Sequence, residues 1–186
     1  MTRRYEKLGS LASAKLLTDA RAVSKFDSAA IIHSEVTVSF GEFADPDRLQ
    51  EWVKKRLKQR YPYVYLMFAG SQCDLSGMVA AYSAAKLKHS DRCFARLNEK
   101  NAANPDRCLY VGSSNAGYAR FNQHLGLTAA KTYSLQLKTW ATGLAGSISI
   151  DILEFRDEPD SKLLHFVEDA LADKFKPIFG KRGSAR

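Results

Sequence analysis

The sequence contains little cysteine, and its cysteines are not arranged as a disulfide framework or a zinc site. Cys73, Cys93 and Cys108 are an odd number and form no CxxC pair. His89 lies four residues before Cys93, but a zinc site needs about four ligands and the sequence does not assemble them. We therefore expect reduced cysteines, as in a reducing cytosol.

Long apolar runs are absent as well. No stretch approaches the roughly 18 consecutive apolar residues of a membrane-spanning helix, so we expect no membrane partner. The basic start MTRRYEKLGS is followed by neither an apolar run nor a cleavage site, unlike a signal peptide. These features predict a cytoplasmic protein, and 186 residues suffice for one domain with one core.

Acidic residues are outnumbered by basic ones. The chain has 20 Asp and Glu against 28 Lys and Arg, which gives a net charge of +8. Such a balance favours a polyanionic partner, nucleic acid first and an anionic membrane second. A solubilising surface charge is the alternative explanation. The basic residues concentrate locally at 54–60 and 174–186.

Hydrophobic periodicity predicts an α+β fold in which helices pack on a small sheet. Alternating or continuous apolar runs predict strands at 34–40, 61–69, 108–112 and 147–155. Helical patterns cover 45–60, 76–87, 91–99, 115–125, 132–142 and 162–175. The first of these helices has Asp45 as a capping residue and Pro46 at its first position.

One carboxylate stands where the last helix should be apolar. Leu164, Leu171 and Phe175 form a stripe on the 162–175 helix, and Glu168 lies on the same stripe. A buried carboxylate is costly unless it is paired or binds a metal. The alternatives are a position at the edge of the stripe or a pair with a core arginine.

Arg120 and His124 complement this carboxylate. They are four residues apart on a predicted helix, so they share a face and can reach one object. Tyr63, Tyr65 and Tyr110 add hydroxyl groups at strand positions, where Tyr63 and Tyr65 point to one face. The plainer explanation is a solvated Arg and His pair and tyrosines that serve packing.

Together these residue types suit phosphodiester hydrolysis. The reaction needs an activated water, neutralised phosphate charge and a stabilised leaving oxygen. A metal at Glu168 can activate the attacking water or stabilise the leaving oxygen. Arg120 can hold the phosphate with its planar guanidinium. A tyrosine or His124 can move protons. One carboxylate fits a single Mg²⁺, which prefers few protein oxygens and several waters.

At this point the sequence resembles the GIY-YIG nucleases. In that family a Tyr-Ile-Gly strand is followed by an arginine on a helix and often by a histidine four residues later. Tyr110-Val111-Gly112, Arg120 and His124 keep that spacing.

Further segments extend the resemblance to about residues 61–182. Tyr63-Val64-Tyr65 is similar to the family's first Gly-Ile-Tyr strand, with Tyr63 in the place of the glycine. Glu168 matches the family's metal-binding glutamate, and the segment 176–180 (KPIFG) resembles the closing segment of the fold.

The resemblance implies a small three-stranded antiparallel sheet flanked by helices, with N-terminal and inserted helical additions. It divides the chain into an extension 1–60 with a strand and a basic helix, a nuclease domain 61–182 and a basic tail 183–186. The motif strands are usually about ten residues apart, whereas Tyr65 and Tyr110 are 45 positions apart. A helical insertion at about 71–106 must therefore loop out.

The resemblance also implies Mg²⁺-dependent (or Mn²⁺-dependent) cleavage of DNA. Tyr65 or Tyr110 would act as general base or orient the water, and the choice among these two and Tyr63 stays open. Arg120 would stabilise the phosphate charge and His124 would assist proton transfer. Glu168 would hold the metal. One departure is that the family often has an asparagine after the closing proline, where this chain has Ile178.

A nuclease core of this type binds DNA weakly, so the additions should supply target choice. Basic side chains expected to follow the phosphate backbone are Lys86, Lys88, Arg92, Arg96, Lys181 and Arg182. A solvated helix face explains those of the insertion equally well. We expect a restriction-like, defence or mobile-element endonuclease, and a homodimer would let it cut both strands. The alternatives are a catalytically inactive nucleic-acid-binding module of this fold and an interaction protein whose charge is incidental.

Overall fold

The computed structural model describes residues 31–57, 60–115, 118–128, 131–156 and 161–181. Of the extension 1–60, residues 1–30 and 58–59 lie outside the described residues. The DNA-binding candidate Arg182 and the tail 183–186 lie outside them as well.

The described chain has an α+β fold with one antiparallel sheet, as the sequence predicted. The sheet has four strands in the order β1-β4-β2-β3, instead of the three that were expected. The strands are β1 (Ile31–Ser39), β2 (Tyr63–Ala69), β3 (Cys108–Ser114) and β4 (Ser147–Phe155).

The additional strand is β1, which the sequence placed in the N-terminal extension. It pairs with β4 over its whole length, from Ile31 opposite Phe155 to Ser39 opposite Ser147. Without β1, one side of β4 would present a row of unpaired N–H and C=O groups. The resemblance begins near residue 61, so it could not predict this pairing.

Strand β2 lies between β4 and β3 and is buried on both of its faces. Tyr63, Tyr65 and Met67 point to one face and join the larger core cluster. Val64 and Leu66 point to the other face and pack in a smaller cluster against the last helix. The prediction that Tyr63 and Tyr65 share a face is confirmed.

Five α-helices occur in the described ranges. They are α1 (Pro46–Arg56), α2 (Leu75–Lys88), α3 (Ala119–Leu125), α4 (Leu137–Trp140) and α5 (Ser161–Phe175). The predicted cap of α1 is confirmed, because Asp45 Oδ1 accepts hydrogen bonds of 3.1 Å from the N–H groups of Asp47 and Arg48. None of the helices in the described ranges has the length and apolar character to cross a membrane.

Two helix predictions are wrong. The segment 91–99 is mostly irregular, because Phe94 and Leu97 form isolated bridges with Ser134 and Phe179 instead of a helix. A short 3-10 segment, Glu99–Ala103, follows. The helix predicted for 132–142 shrinks to Leu137–Trp140, since Gln136 has a left-handed backbone (φ 53°) that no α-helix continues.

The insertion 71–106 packs onto the core rather than projecting from it. Tyr82 of α2 is fully buried and contacts the rings of Phe94, Trp140 and Phe179 at centroid distances of 5.4, 5.5 and 4.4 Å. The two ends of the insertion are joined by the Arg107 side chain, which donates to the backbone carbonyls of Ala69, Gly70 and Cys73. The insertion and the sheet therefore share one hydrophobic core.

Candidate functional site

The candidate site surrounds β3, the terminal strand of the described sheet. Tyr110 lies on the face that packs with Tyr65 in the larger cluster, and Val111 lies on the face covered by α5. Beyond α5 the chain returns beside β3, where the N–H groups of Ile178 and Phe179 donate to the carbonyls of Cys108 and Leu109 (3.0 and 2.8 Å).

Helix α3 directs Arg120 and His124 at the two stacked tyrosines. The rings of Tyr65 and Tyr110 are 6.0 Å apart and nearly parallel, at 17°. His124 Nε2 lies 2.8 Å from the Tyr65 hydroxyl oxygen, and Arg120 Nη2 donates to the Tyr110 hydroxyl oxygen at 3.1 Å. The structure thus brings four of the five predicted catalytic residues together, as the four-residue spacing on one helix implied.

The tautomer of His124 follows from its second contact. The backbone N–H of Leu135 donates to His124 Nδ1 at 3.2 Å, so this nitrogen carries no proton. Burial and the nearby Arg120 charge lower the pKa of His124 well below its ordinary value, which keeps the ring neutral. The proton is then on Nε2, and His124 donates to Tyr65. Proton transfer by His124 stays a prediction.

Burial moves the pKa values of the tyrosines further above neutral pH, where a tyrosine is protonated in any case. It is the main cause that raises the pKa of Tyr65 well above its ordinary value, although the Arg120 charge acts in the opposite direction. Burial likewise raises the pKa of Tyr110, while the charge and hydrogen bond of Arg120 lower it. Both hydroxyl groups are therefore donors as well as acceptors.

The three candidate tyrosines differ in what they face. Tyr63 is fully buried, its ring stacks on Phe121 at 5.4 Å, and burial raises its pKa to about 12. Tyr65 is also fully buried and held by His124. Tyr110 lines an open cleft together with Arg120. Among the three, only Tyr110 lines this cleft.

Gly112 makes the stacked pair of tyrosines possible. It lies opposite Tyr65 in the β2–β3 register. A Cβ atom on Gly112 would lie 2.7 Å from both the Tyr65 hydroxyl oxygen and Tyr110 Cε1, which is closer than van der Waals contact allows. The glycine of the Tyr-Val-Gly segment is therefore required by the side chains that pack over it.

Glu168 lies on the α5 side of β3. Its side chain is 16% exposed, and its Oε2 accepts a 2.6 Å hydrogen bond from Ser113 Oγ. His165 Nδ1 lies 3.8 Å from the same oxygen. The Glu168 charge reaches Tyr110, because it is one of the influences that raise the pKa of Tyr110. Glu168 therefore lies on the opposite face of the strand from the other four residues, near enough to Tyr110 for its charge to act on that hydroxyl.

Two clefts meet beside the closing segment 176–180. The cleft of about 540 Å³ that we call the Arg120 cleft is lined by Arg120, Tyr110, Tyr133 and basic side chains. The cleft of about 340 Å³ that we call the Glu168 cleft is lined by Glu168, Val111 and the closing segment. Arg96, Gly180 and Lys181 line both clefts, which makes the surface continuous around the strand.

Some of the predicted DNA-binding residues line the two clefts and others do not. Lys86 lines the Arg120 cleft, and Arg96 and Lys181 line both clefts. Arg92 Nη1 instead donates to Gln136 Oε1 at 2.9 Å, and Lys88 is exposed but lines neither cleft. Arg182 is outside the described residues.

Asparagines of the insertion hold the closing segment, a role that no sequence pattern indicated. Asn98 Nδ2 donates to the carbonyls of Pro177 and Gly180 (3.3 and 3.0 Å), and Asn101 Nδ2 donates to the Pro177 carbonyl at 2.9 Å. Asn104 Nδ2 donates to the carbonyl of Phe175 at 3.1 Å. These contacts span 71 to 82 residues of sequence, so only the folded chain reveals them.

The Glu168 cleft contains carboxylates of the kind that bind metal ions. In the described ranges no group of three or more His, Cys, Asp or Glu side chains is placed to hold a metal. The cleft is lined by the carboxylates of Glu168 and Asp173 and by the amide groups of Asn98 and Asn101, which donate to the closing segment through Nδ2. Mg²⁺ is commonly held by one or two carboxylates with water as the remaining ligands, so Glu168 fits this role.

Comparisons with known proteins return nothing similar: no protein-family model, no curated protein and no solved structure matches the chain. The functional assignment therefore depends on the geometry of the site and on the residues that resemble the GIY-YIG motif.

The close approach at Gly112 predicts that Gly112→Ala destabilises the protein. The new methyl group forces Tyr65 and Tyr110 apart, and overpacking of this kind costs about 1–3 kcal/mol. Urea unfolding measures the change in the free energy of unfolding. Gly41→Ala is the control, because the nearest atom to its Cβ would be 3.7 Å away. Equal stabilities of the two variants would contradict the packing described for the tyrosines.

Proposed function

We propose that this protein is a GIY-YIG-type endonuclease that hydrolyses DNA phosphodiester bonds with Mg²⁺ (or Mn²⁺). The observation that carries the proposal is the position of Arg120. Its guanidinium group is held by the Tyr110 hydroxyl and the Tyr133 carbonyl, both at 3.1 Å, at the wall of a cleft with further cations. A guanidinium held in this way suits a phosphate oxyanion.

Arg120 is fixed before any substrate binds. Its Nη1 donates to Gln123 Oε1 at 2.7 Å, and its Nη2 makes the two bonds to Tyr110 and Tyr133. Because these bonds already restrict the long side chain, less conformational entropy is lost when a phosphate binds. Arg120 then stabilises the charge that develops on the phosphoryl oxygens as water attacks.

Tyr110 is the residue we assign to the attacking water. Its hydroxyl oxygen accepts one hydrogen bond from Arg120, so its own proton and its remaining lone pair can serve groups in the cleft. A tyrosine is protonated at neutral pH, and burial raises the pKa of Tyr110 further above that range. Tyr110 therefore orients the attacking water by hydrogen bonding. The proton that the water loses passes to solvent, because a phenol that keeps its own proton cannot accept a second one.

Tyr65 and His124 support Tyr110 from within the core. His124 donates to Tyr65, and the Tyr65 ring stacks on Tyr110. The Leu135 N–H fixes the orientation of the imidazole, so the three rings form one rigid unit. We assign positioning roles to Tyr65 and His124, with proton transfer by His124 as the further expectation from the family.

Glu168 is the residue that would hold the metal ion. A bound Mg²⁺ supplies charge that stabilises the leaving oxygen or lowers the pKa of a coordinated water. Ser113 donates to Oε2 and fixes the carboxylate, and the continuous surface past Arg96 and Lys181 connects it to the Arg120 cleft. A DNA strand that follows this surface would meet Arg120 in one cleft and Glu168 in the other.

The biological class we favour is a restriction-like, defence or mobile-element endonuclease, acting as a homodimer if both strands are cut. The additions that supply target choice are part of the compact fold: β1 completes the sheet, and the insertion shares the core. A catalytically inactive module of the same fold would bind nucleic acid without using the Glu168 carboxylate.

Plasmid cleavage tests the proposal directly. Wild-type protein with Mg²⁺ should convert supercoiled plasmid to nicked or linear forms, and EDTA should abolish this conversion. Glu168→Gln and Arg120→Ala should each slow cleavage by about 10²- to 10³-fold, as the loss of one charge-stabilising group does in other enzymes. Salt-sensitive binding without cleavage would identify the inactive module, and normal cleavage by Arg120→Ala would contradict the site assignment.

The separation of the basic side chains gives a second prediction, with a matched pair on one helix. Lys86→Ala should weaken DNA binding and reduce the slope of log K against log salt concentration by about 0.9, the contribution of one phosphate contact. Lys88→Ala should leave that slope unchanged, because Lys88 lines neither cleft. Fluorescence anisotropy over a salt series measures both slopes. Equal effects of the two substitutions would contradict the Arg120 cleft as the DNA-binding surface.

A further inference from the structure

Tyr133 is an aromatic side chain that the proposed chemistry does not use. It is 71% exposed, the most exposed aromatic ring among the large hydrophobic side chains of the described residues. Its backbone carbonyl accepts the hydrogen bond from Arg120 Nη2, and the residue lines the Arg120 cleft. The residue that carries this exposed ring is thus hydrogen-bonded, through its backbone carbonyl, to the arginine that we assign to phosphate binding.

Tyr133 directly precedes a buried stretch. Ser134 and Leu135, which follow it, are fully buried. Ser134 is held by Cys93 and Ala95, through Ser134 N–H to the Cys93 carbonyl (3.3 Å) and Ala95 N–H to the Ser134 carbonyl (2.9 Å). These contacts and the bond from Arg120 fix the backbone on which the exposed Tyr133 ring is carried.

The surroundings of the ring are cationic. Lys86, Arg96 and Lys181 line the same cleft as Arg120, and Phe94 forms part of its buried wall. Aromatic side chains next to basic ones are the typical surface for single-stranded nucleic acid, since bases stack on the rings while cations follow the phosphates. In a fully paired duplex the base faces are covered by neighbouring base pairs, so a ring in this position could not stack on them.

We propose that Tyr133 is a stacking platform for an unpaired nucleobase next to the phosphate held by Arg120. This proposal rests on the proposed function and names its substrate more closely: a strand that is single-stranded, or locally unpaired, at the cleavage site. Arg120 joins the two parts, because one of its nitrogen atoms contacts both the Tyr110 hydroxyl and the Tyr133 carbonyl. Arg120 therefore holds the backbone of Tyr133 next to the group that we assign to phosphate binding.

Binding measured without cleavage tests the proposal. Wild-type protein in EDTA is titrated against a labelled single strand and against the duplex of the same sequence, with fluorescence anisotropy as the readout. Tyr133→Ala should weaken single-strand binding by about 5- to 150-fold, which corresponds to the loss of one stacked base. Tyr133→Phe should bind like wild type, because the ring is kept. Tyr118→Ala is the control, since this ring is 40% exposed but lines neither cleft.

A single abasic nucleotide, moved along the strand, identifies the stacked base. In wild type, one position should lose affinity when its base is removed, whereas Tyr133→Ala should be insensitive at that position. If Tyr133→Ala binds the single strand as tightly as wild type, or loses affinity equally for every abasic position, the stacking platform is wrong. If wild type also cleaves plasmid DNA, only the platform fails; if it neither binds nor cleaves DNA, the proposed function fails as well.

Discussion

The hydrogen bond from Arg120 to the Tyr110 hydroxyl is the contact on which the site depends. It joins helix α3 to the terminal strand β3, and it places a permanent positive charge against a buried phenol. The same guanidinium holds the Tyr133 carbonyl, so the arginine also fixes the wall of the cleft. One helical turn further along α3, His124 forms a hydrogen bond with the buried Tyr65. The Tyr65 ring in turn stacks on the ring of Tyr110.

The position of β3 at the end of the described sheet places this cluster beside a cleft. A tyrosine on a central strand would be covered on both faces, as Tyr63 and Tyr65 are. Tyr110 lies on the terminal strand, where the closing segment 176–180 covers the edge only in part and leaves a cleft on each side. Asn98 and Asn101 hold this segment by hydrogen bonds to the carbonyls of Gly180 and Pro177.

Local sequence patterns predicted the parts of the site that are close together in the chain. Three patterns predicted which way side chains point: the four-residue spacing of Arg120 and His124, the alternation in β2 and the apolar stripe around Glu168. The structure agrees with each of them. Patterns could not predict contacts that depend on the whole fold. The pairing of β1 with β4, the hydrogen bonds of Asn98 and the burial of the insertion all join segments far apart in sequence. The helix predicted at 91–99 is wrong because bridges to distant residues outweigh its local pattern.

A double-mutant cycle on the cleavage rate tests the central claim, that Arg120 and Tyr110 act on the phosphate as one unit. Single-turnover rates are compared for wild type, Tyr110→Phe, Arg120→Ala and the double variant. Groups that act as a unit are non-additive, so the double variant should cleave about as slowly as Arg120→Ala alone. Fully additive losses, or a Tyr110→Phe variant that cleaves like wild type, would contradict the account.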